Sequence, residues 1–305
     1  MTQHAGSRLR LRMDSGVVAA PGAFNALVAR AVARAGFEAA YVSGGATSVA
    51  AGVPDVGLLT LEHFCRVIRE VVDGSGLPVL ADADTGFGEA EMVRRTVVEY
   101  HRAGAAGLHL EDQVFPKRCG HLDGKALVPV EHMCEKVAWA AKASQDCSDG
   151  AFVVCARTDA RGVDGMEAAV ERARAYVAAG ADMIFPEGLK SEAEFGAFAE
   201  AMRGCPPACA GGSTREGGPY LLANMTEFGK TPLIPLSRFG EMGYDLVIYP
   251  VSMLRVAMGA VTRALETLKR EGTVEPLLGE MQTREELYGL VGYEPGTAWE
   301  IPAGE

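Results

Sequence analysis

The chain lacks the marks of a membrane, secreted or nucleic-acid-coating protein. Across 305 residues no apolar run approaches the 18 that a spanning helix needs. No apolar stretch opens the chain as a secretory signal would. Positive charge is scarce: 29 Lys plus Arg face 40 Asp plus Glu, a formal charge of −11. That balance speaks against nucleic acid or an anionic membrane as partner, although a local arginine cluster still suits an anionic substrate. The seven cysteines are odd in number and scattered, so free thiols in a reducing compartment are expected, a cytoplasm or a mitochondrial matrix. Cys205 and Cys209 lack the second ligand pair that zinc needs. The basic start, Arg8-Leu9-Arg10-Leu11-Arg12, reads as a solvated first helix rather than the stub of an organellar presequence.

What the chain does have is alternation. It is 48% hydrophobic and 23% charged, enough apolar material for a sizeable core. Eight short β-branched or apolar runs fall at 17–20, 39–42, 78–81, 107–110, 152–156, 182–185, 220–223 and 246–249. Stretches with helical periodicity lie between and after them, at 24–35, 61–72, 89–103, 130–143, 166–179, 191–202, 235–242 and 252–269. Gly36, Gly104, Gly180 and Gly243 stand where helix C-caps want glycine. Eight such repeats predict an α/β fold, a (β/α)8 TIM-type barrel. The alternative, a doubly wound open sheet, lacks its G-x-G-x-x-G after the first strand. Residues 1–305 read as a single α/β barrel domain, with 255–305 a C-terminal helical extension of it.

Strand after strand runs into polar chemistry. The second ends in Ser43-Gly44-Gly45, the third in Asp82-Ala83-Asp84 and the fourth in Glu111-Asp112. The fifth ends in Arg157-Thr158-Asp159, the sixth in Glu187 and the seventh in Asn224-Met225-Thr226. In a barrel these ends meet on one face, where barrel enzymes carry their active sites. Asp82 and Asp84 share one side of a strand. With Glu111 they make a hard-oxygen set suited to Mg²⁺ or Mn²⁺. Lys117-Arg118-Cys119-Gly120-His121 puts three cations beside a thiol, which favours the thiolate and a proton exchange with carbon. Arg157, Arg255 and Arg284 are candidate carboxylate forks. Asn224 and Thr226 can donate to a carboxylate. Tyr41 is read as an aromatic packed within the second strand, and His109 as a core histidine. These residues predict a divalent-metal enzyme that binds a polycarboxylate and breaks a C–C bond beside a carboxylate.

From about residue 8 to 293 the chain resembles the isocitrate lyase/phosphoenolpyruvate mutase superfamily, and most its methylisocitrate-cleaving branch. The resemblance is carried by Tyr41-Val42-Ser43-Gly44-Gly45, Gly52-Val53-Pro54-Asp55, Asp82-Ala83-Asp84-Thr85-Gly86-Phe87-Gly88 and Leu110-Glu111-Asp112-Gln113. It continues in the 117–121 loop, Ala156-Arg157-Thr158-Asp159-Ala160, Phe185-Pro186-Glu187, Asn224-Met225-Thr226-Glu227-Phe228-Gly229 and Met281-Gln282-Thr283-Arg284.

The resemblance implies a tricarboxylate substrate and a homotetramer with C-terminal helices swapped between subunits. It implies that Asp82, Asp84 and, through water, Glu111 hold Mg²⁺. Ser43, Gly44, Gly45 and Arg157 would bind the pyruvate-derived part. Glu187, Asn224, Met225, Thr226, Arg255 and Arg284 would bind the succinate-derived end. Asp55 would lie near the reacting carbon. Cys119 would donate the proton to carbon, with Lys117, Arg118, Gly120 and His121 in the same closing loop and Tyr41 as base. Competing activities are cleavage of dimethylmalate or isocitrate, hydrolysis of oxaloacetate, and a carboxyphosphonoenolpyruvate-type phosphonomutase. The chain departs from the family pattern in a Gly/Pro-rich lengthening around 204–218, expected at the bottom of the barrel.

Overall fold

All eight expected strands form: β1 (Val18–Pro21), β2 (Ala40–Val42), β3 (Val79–Asp82), β4 (Gly107–Glu111), β5 (Val153–Thr158), β6 (Met183–Pro186), β7 (Tyr220–Asn224) and β8 (Leu246–Tyr249). The computed structural model describes residues 3–118, 120, 122, 124–205 and 218–299. Every strand pair is parallel, in the order β1-β8-β7-β6-β5-β4-β3-β2. A parallel bridge between Gly22 and Tyr41 joins β1 to β2, with the Ala23 N–H donating to the Tyr41 carbonyl at 2.9 Å. The sheet thus closes as the (β/α)8 repeat predicts. Glycine is required at 22, because a Cβ there would lie 2.2 Å from the Pro250 carbonyl oxygen.

The helices follow the periodicity within a few residues: Ala26–Arg34, Leu61–Ser75, Ala90–Arg102, Val130–Ser148, Met166–Ala179, Glu192–Met202, Leu236–Met242 and Ser252–Glu271. Leu61–Ser75 shows why. Thr60 caps it by accepting from the His63 N–H. Phe64, Val67, Ile68 and Val71 recur on one face and are buried against the sheet. Burying Phe64 and Ile68 contributes about 1.5–3 kcal/mol each. The helix ends at Gly76 in the left-handed region, φ 66°.

The sheet separates two cores. Outward residues such as Val79, Leu108, Val154 and Ile184 pack under the helices. Inward ones, Ala20, Tyr41, Leu80, Cys155, Phe185, Leu222 and Ile248, fill the barrel.

The first helix, Ala5–Ser15, corrects the expectation of a solvated element. Leu9 and Met13 are buried in the barrel's inner core. Arg10 pairs with Asp182 at 3.0 Å, and Arg8 donates to the Gly76 carbonyl at 3.0 Å. The helix plugs the amino-terminal end of the barrel, and its arginines are anchors at the rim. The short helices Gly44–Ala50, Ala160–Val163 and Arg284–Leu290 have no clear periodic signal in the sequence. Most of the 204–218 segment lies outside the described residues. Among the described residues, no helix is long and apolar enough to cross a membrane.

Candidate active site

Side chains alternate along a strand, so the polar residues at the strand ends continue the inward rows of the apolar core. Tyr41 leads to Ser43, Leu80 to Asp82, His109 to Glu111, Cys155 to Arg157, Phe185 to Glu187 and Leu222 to Asn224. The apolar layers form a floor, and the charged layer sits above it. There a cavity of about 210 Å³ opens, lined by Tyr41, Ser43, Gly45, Asp55, Asp82, Lys117, Gly120, Arg157, Glu187, Asn224, Thr226 and Arg255 among others. A larger groove, about 1010 Å³, runs outside the loops after β2, β3 and β4, past Leu59, Phe87, Met92 and Phe115. Of the predicted residues that the structure describes, only Asp84 reaches it, so the smaller cavity is the candidate site.

One wall is acidic. The Lys117 ammonium sits 2.5 Å from Asp55 Oδ1 and 2.6 Å from Asp84 Oδ1. Burial alone would lower the Lys117 pKa, but Glu111, Asp82, Asp84 and Asp55 hold it well above the ordinary lysine value. Burial works against the Asp82 charge too, yet His109, Lys117 and Arg157 keep its carboxyl below the usual carboxylate range. Asp84 is pushed the other way, by burial and by the charge of Asp82. Its backbone lies in the left-handed region, φ 47°, with its N–H donating to Asp82 Oδ1 at 3.0 Å. Such a conformation is tolerated by aspartate better than by most side chains.

Arg157 carries the other charge. Its Nε and Nη2 donate to the two oxygens of Asp159 at 2.9 and 3.2 Å. Its Nη1 lies 3.1 Å from Glu111 Oε2 and 3.5 Å from Glu187 Oε2. Burial would lower its pKa, but these acids raise it well above the ordinary arginine value. The guanidinium also stands over the Phe185 ring, 5.2 Å from its centre.

The loop after β4 reaches this wall. Gln113 pins its start, donating to the Arg118 carbonyl at 2.8 Å and accepting from the Arg118 N–H at 2.9 Å. The Arg118 backbone is what is held, and its side chain does not line the cavity. Gly120 is buried, and a Cβ on it would lie 2.4 Å from both Arg157 Nη2 and Glu187 Cγ. Lys125 donates to the Gly120 carbonyl and, at 2.7 Å, to Asp159. Cys119 and His121 lie outside the described residues.

Across the barrel, Asn224 Nδ2 donates to Glu187 Oε2 at 3.1 Å. Arg255 lines the cavity beside Thr226, pairs with Glu227 at 2.9 Å and covers the Phe228 ring. Two residues expected here are elsewhere. Met225 points the opposite way to Asn224 and Thr226 and is buried in the outer core, because neighbours on a strand face opposite sides. Arg284 is exposed on its short helix and does not line the cavity of its own chain.

Tyr41 is also revised. Its hydroxyl is 2.7 Å from His109 Nε2, and the two rings stack. Burial, then Asp82, push its pKa well above 10, so the phenol is neutral at pH 7 and poorly set as a base. His109 is fully buried, and burial pushes its pKa down to about 4. It is the core histidine the sequence suggested.

The donor set fits a hard divalent cation. A Cβ on Gly44 would meet Asp82 Oδ2 at 2.7 Å and Asp84 Oδ1 at 3.2 Å, so glycine lets the β2 turn lie directly against both carboxylates. Glu111 Oε1 is buried without a hydrogen-bond partner. Among the described residues, no three His, Cys, Asp or Glu side chains stand close enough to ligate one ion by themselves. That pattern suits Mg²⁺, which takes one or two carboxylates and completes its octahedron with water and substrate oxygens.

Asp112, Gln113 and Asp159 enter the sequence reading only as members of motifs, with no role of their own, and Lys125 escapes it. Asp112 and Asp159 sit beside predicted residues and differ from them only in strand parity or by one turn. Lys125 carries no signal beyond its charge.

The sequence profile of the phosphoenolpyruvate phosphomutase family matches residues 9–269. A Corynebacterium glutamicum protein named probable 2-methylisocitrate lyase 1 is 51% identical over 274 residues, covering 90% of this chain and 84% of its own. A 2-methylisocitrate lyase of Aeropyrum pernix is 46% identical, covering 91% of this chain and 83% of its own. The crystal structure of a 2,3-dimethylmalate lyase superposes with a TM-score of 0.85 at 36% identity, covering 96% of this chain and 93% of that one.

Proposed function

This chain belongs to the phosphoenolpyruvate phosphomutase family, within the isocitrate lyase/phosphoenolpyruvate mutase superfamily, and we propose that it is the lyase that cleaves 2-methylisocitrate to pyruvate and succinate, the step that serves propionate breakdown in a methylcitrate cycle. One observation carries the reading. A single cavity joins an acid wall of Asp55 and Asp82, with Lys117 and Arg157 beside it, to a separate Asn224, Thr226 and Arg255 wall across the barrel. That division suits a substrate with an α-hydroxy acid at one end and further carboxylates at the other. The relatives named 2-methylisocitrate lyase support it.

In this reading Ser43, Gly44, Gly45 and Arg157 bind the pyruvate-derived end, and Asn224, Thr226 and Arg255 bind the succinate-derived end. Asp82, Asp84 and Glu111 would hold Mg²⁺ or Mn²⁺, which would supply Lewis-acid stabilisation of charge on the oxo-acid fragment. The Asp55 carboxylate, on the cavity wall beside Lys117, takes up the C2 hydroxyl proton, the C2–C3 bond breaks, and its electron pair spreads into the succinate carboxylate beside Asn224 and Arg255. The Cys119 thiol then gives its proton to that carbon. Gly120, packed on Arg157 and Glu187, helps exclude water. Tyr41 stays a neutral phenol against His109.

The dimethylmalate reading shares the acid wall but leaves the second carboxylate wall without a full complement of ligands. Product identity separates the two. We expect pyruvate with succinate from 2-methylisocitrate, at a kcat/KM at least about tenfold above that for dimethylmalate or isocitrate. Faster release of propionate from dimethylmalate would overturn the assignment.

Helix Ser252–Glu271 supports the tetramer with swapped helices. Met258, Val261, Leu265 and Leu268 follow the three-four spacing of a packing seam, yet each is 45–61% exposed on the single chain. A second copy covering this seam is expected to show as a sedimenting species near four chain masses. A species of one chain mass at micromolar concentration would count against it.

A further inference from the structure

We infer that Asp112, which never faces the cavity, is a positioning residue of the reaction: it clamps the 157–159 turn and thereby sets the orientation of the Arg157 guanidinium. The inference rests on the reading of Arg157 as the partner of the pyruvoyl carboxylate. Asp112 follows Glu111 at the end of β4, and strand alternation turns it away from the site, toward helix Met166–Ala179. Its backbone N–H donates to the Arg157 carbonyl at 3.2 Å. Its Oδ2 accepts from the Thr158 hydroxyl at 2.8 Å, and its Oδ1 from the Asp159 N–H at 2.9 Å. Three consecutive residues of β5 and its turn are thus held by one neighbour. From the helix, Tyr176 donates to Oδ2 at 2.8 Å, and Arg172 stands 3.3 Å from it.

What the clamp holds is Asp159. Among the described hydrogen bonds, this fully buried carboxylate is the acid that grips Arg157 with two bonds, through Nε and Nη2. A fork of that kind fixes the plane of a guanidinium as well as its place. Glu111 and Glu187 approach Arg157 at Nη1, at 3.1 and 3.5 Å, without a two-bond fork between them and the guanidinium among the described hydrogen bonds. If the turn shifts, the fork tilts, and Arg157 meets the substrate carboxylate at the wrong angle. Misplacement of about 1 Å in such a group costs about 100-fold in rate.

Only a carboxylate can serve at 112. It accepts from Asp159, Thr158, Tyr176 and Arg172 and has nothing to donate to. Asparagine has the same size but one oxygen. Three donors converge on Oδ2, so the amide nitrogen goes to the Oδ1 side and opposes the Asp159 N–H.

The test compares Asp112→Asn with Tyr176→Phe. Both remove a bond from the same cluster and lower the melting temperature, but only the first releases Asp159. Two readouts are taken: calorimetric titration with oxalate in the presence of Mg²⁺, oxalate being a planar mimic of the pyruvate enolate, and kcat/KM on 2-methylisocitrate. We expect Asp112→Asn to weaken oxalate about tenfold or more and to lower kcat/KM about 100-fold. Tyr176→Phe is expected to stay within about twofold of the parent on both. Oxalate binding by Asp112→Asn equal to the parent's would overturn the inference. So would an equal loss in Tyr176→Phe, since Asp112 would then be structural only. If Asp112→Asn does not fold, Asp112→Glu keeps the charge, displaces the oxygens and is held to the same comparison. A parent chain that binds oxalate but does not cleave 2-methylisocitrate would remove the substrate reading, while the oxalate ranking would still decide the role of Asp112.

Discussion

Lys117→Met is expected to abolish turnover and to weaken the fold together. The ammonium is buried between Asp55 and Asp84, with Asp82 and Glu111 close behind. Methionine keeps the volume of the stem and removes the charge. Removing one partner of a buried ion pair leaves the other uncompensated, at about 3–5 kcal/mol. Asp84 relieves part of this by taking up a proton, since burial and Asp82 have already raised its carboxyl. The same protonation spoils it as a cation ligand. The expected result is a kcat at least about 1000-fold lower, the range for losing a preorganised electrostatic group, together with a lower guanidinium midpoint at pH 7. A variant that unfolds within 1 kcal/mol of the parent (roughly the scatter of an exposed pair) and keeps its turnover would show that Lys117 is not the counter-charge of this wall.

Gly120→Ala is expected to separate activity from stability. The added methyl carbon would lie 2.4 Å from Arg157 Nη2 and from Glu187 Cγ. The need for glycine here is one of space. Arg157 cannot yield, because Asp159 grips it through two bonds. The loop must therefore rise, and the cover that Gly120 gives Arg157 is lost. A displacement near 1 Å corresponds to a loss of about 100-fold in kcat. The barrel does not depend on this contact, so the melting temperature should hold. An alanine variant with full kcat would mean that close approach of Gly120 to Arg157 plays no part in the reaction.

The strands and helices of the barrel were legible because burial imposes period two on strands and period 3.6 on helices, and both patterns are strong here. The inward rows also carried most of the site: Ser43, Asp82, Glu111, Arg157, Glu187 and Asn224 lie in register with the buried inward residues two positions before them. What depends on the third dimension was not legible. Arg8 and Arg10 looked solvated because their partners, the Gly76 carbonyl and Asp182, are far away in sequence. Met225 was drawn in by its neighbours, although parity puts it on the other face. Arg284 matched a motif, but its own chain leaves it outside the cavity. Asp112 and Asp159 stand in the sequence as strand-end acids without a role, because their bonds to each other and to Arg157 join residues that the sequence does not pair.

The account turns on one reaction, and the most direct measurement is the proton spectrum of its products in D₂O, with Mg²⁺ and with EDTA. From 2-methylisocitrate the account predicts unlabelled pyruvate and succinate bearing a single deuterium, delivered from the exchanged Cys119 thiol, and neither product when EDTA is present. Absence of both products with Mg²⁺, from protein that cleaves dimethylmalate or oxaloacetate under the same conditions, would contradict it.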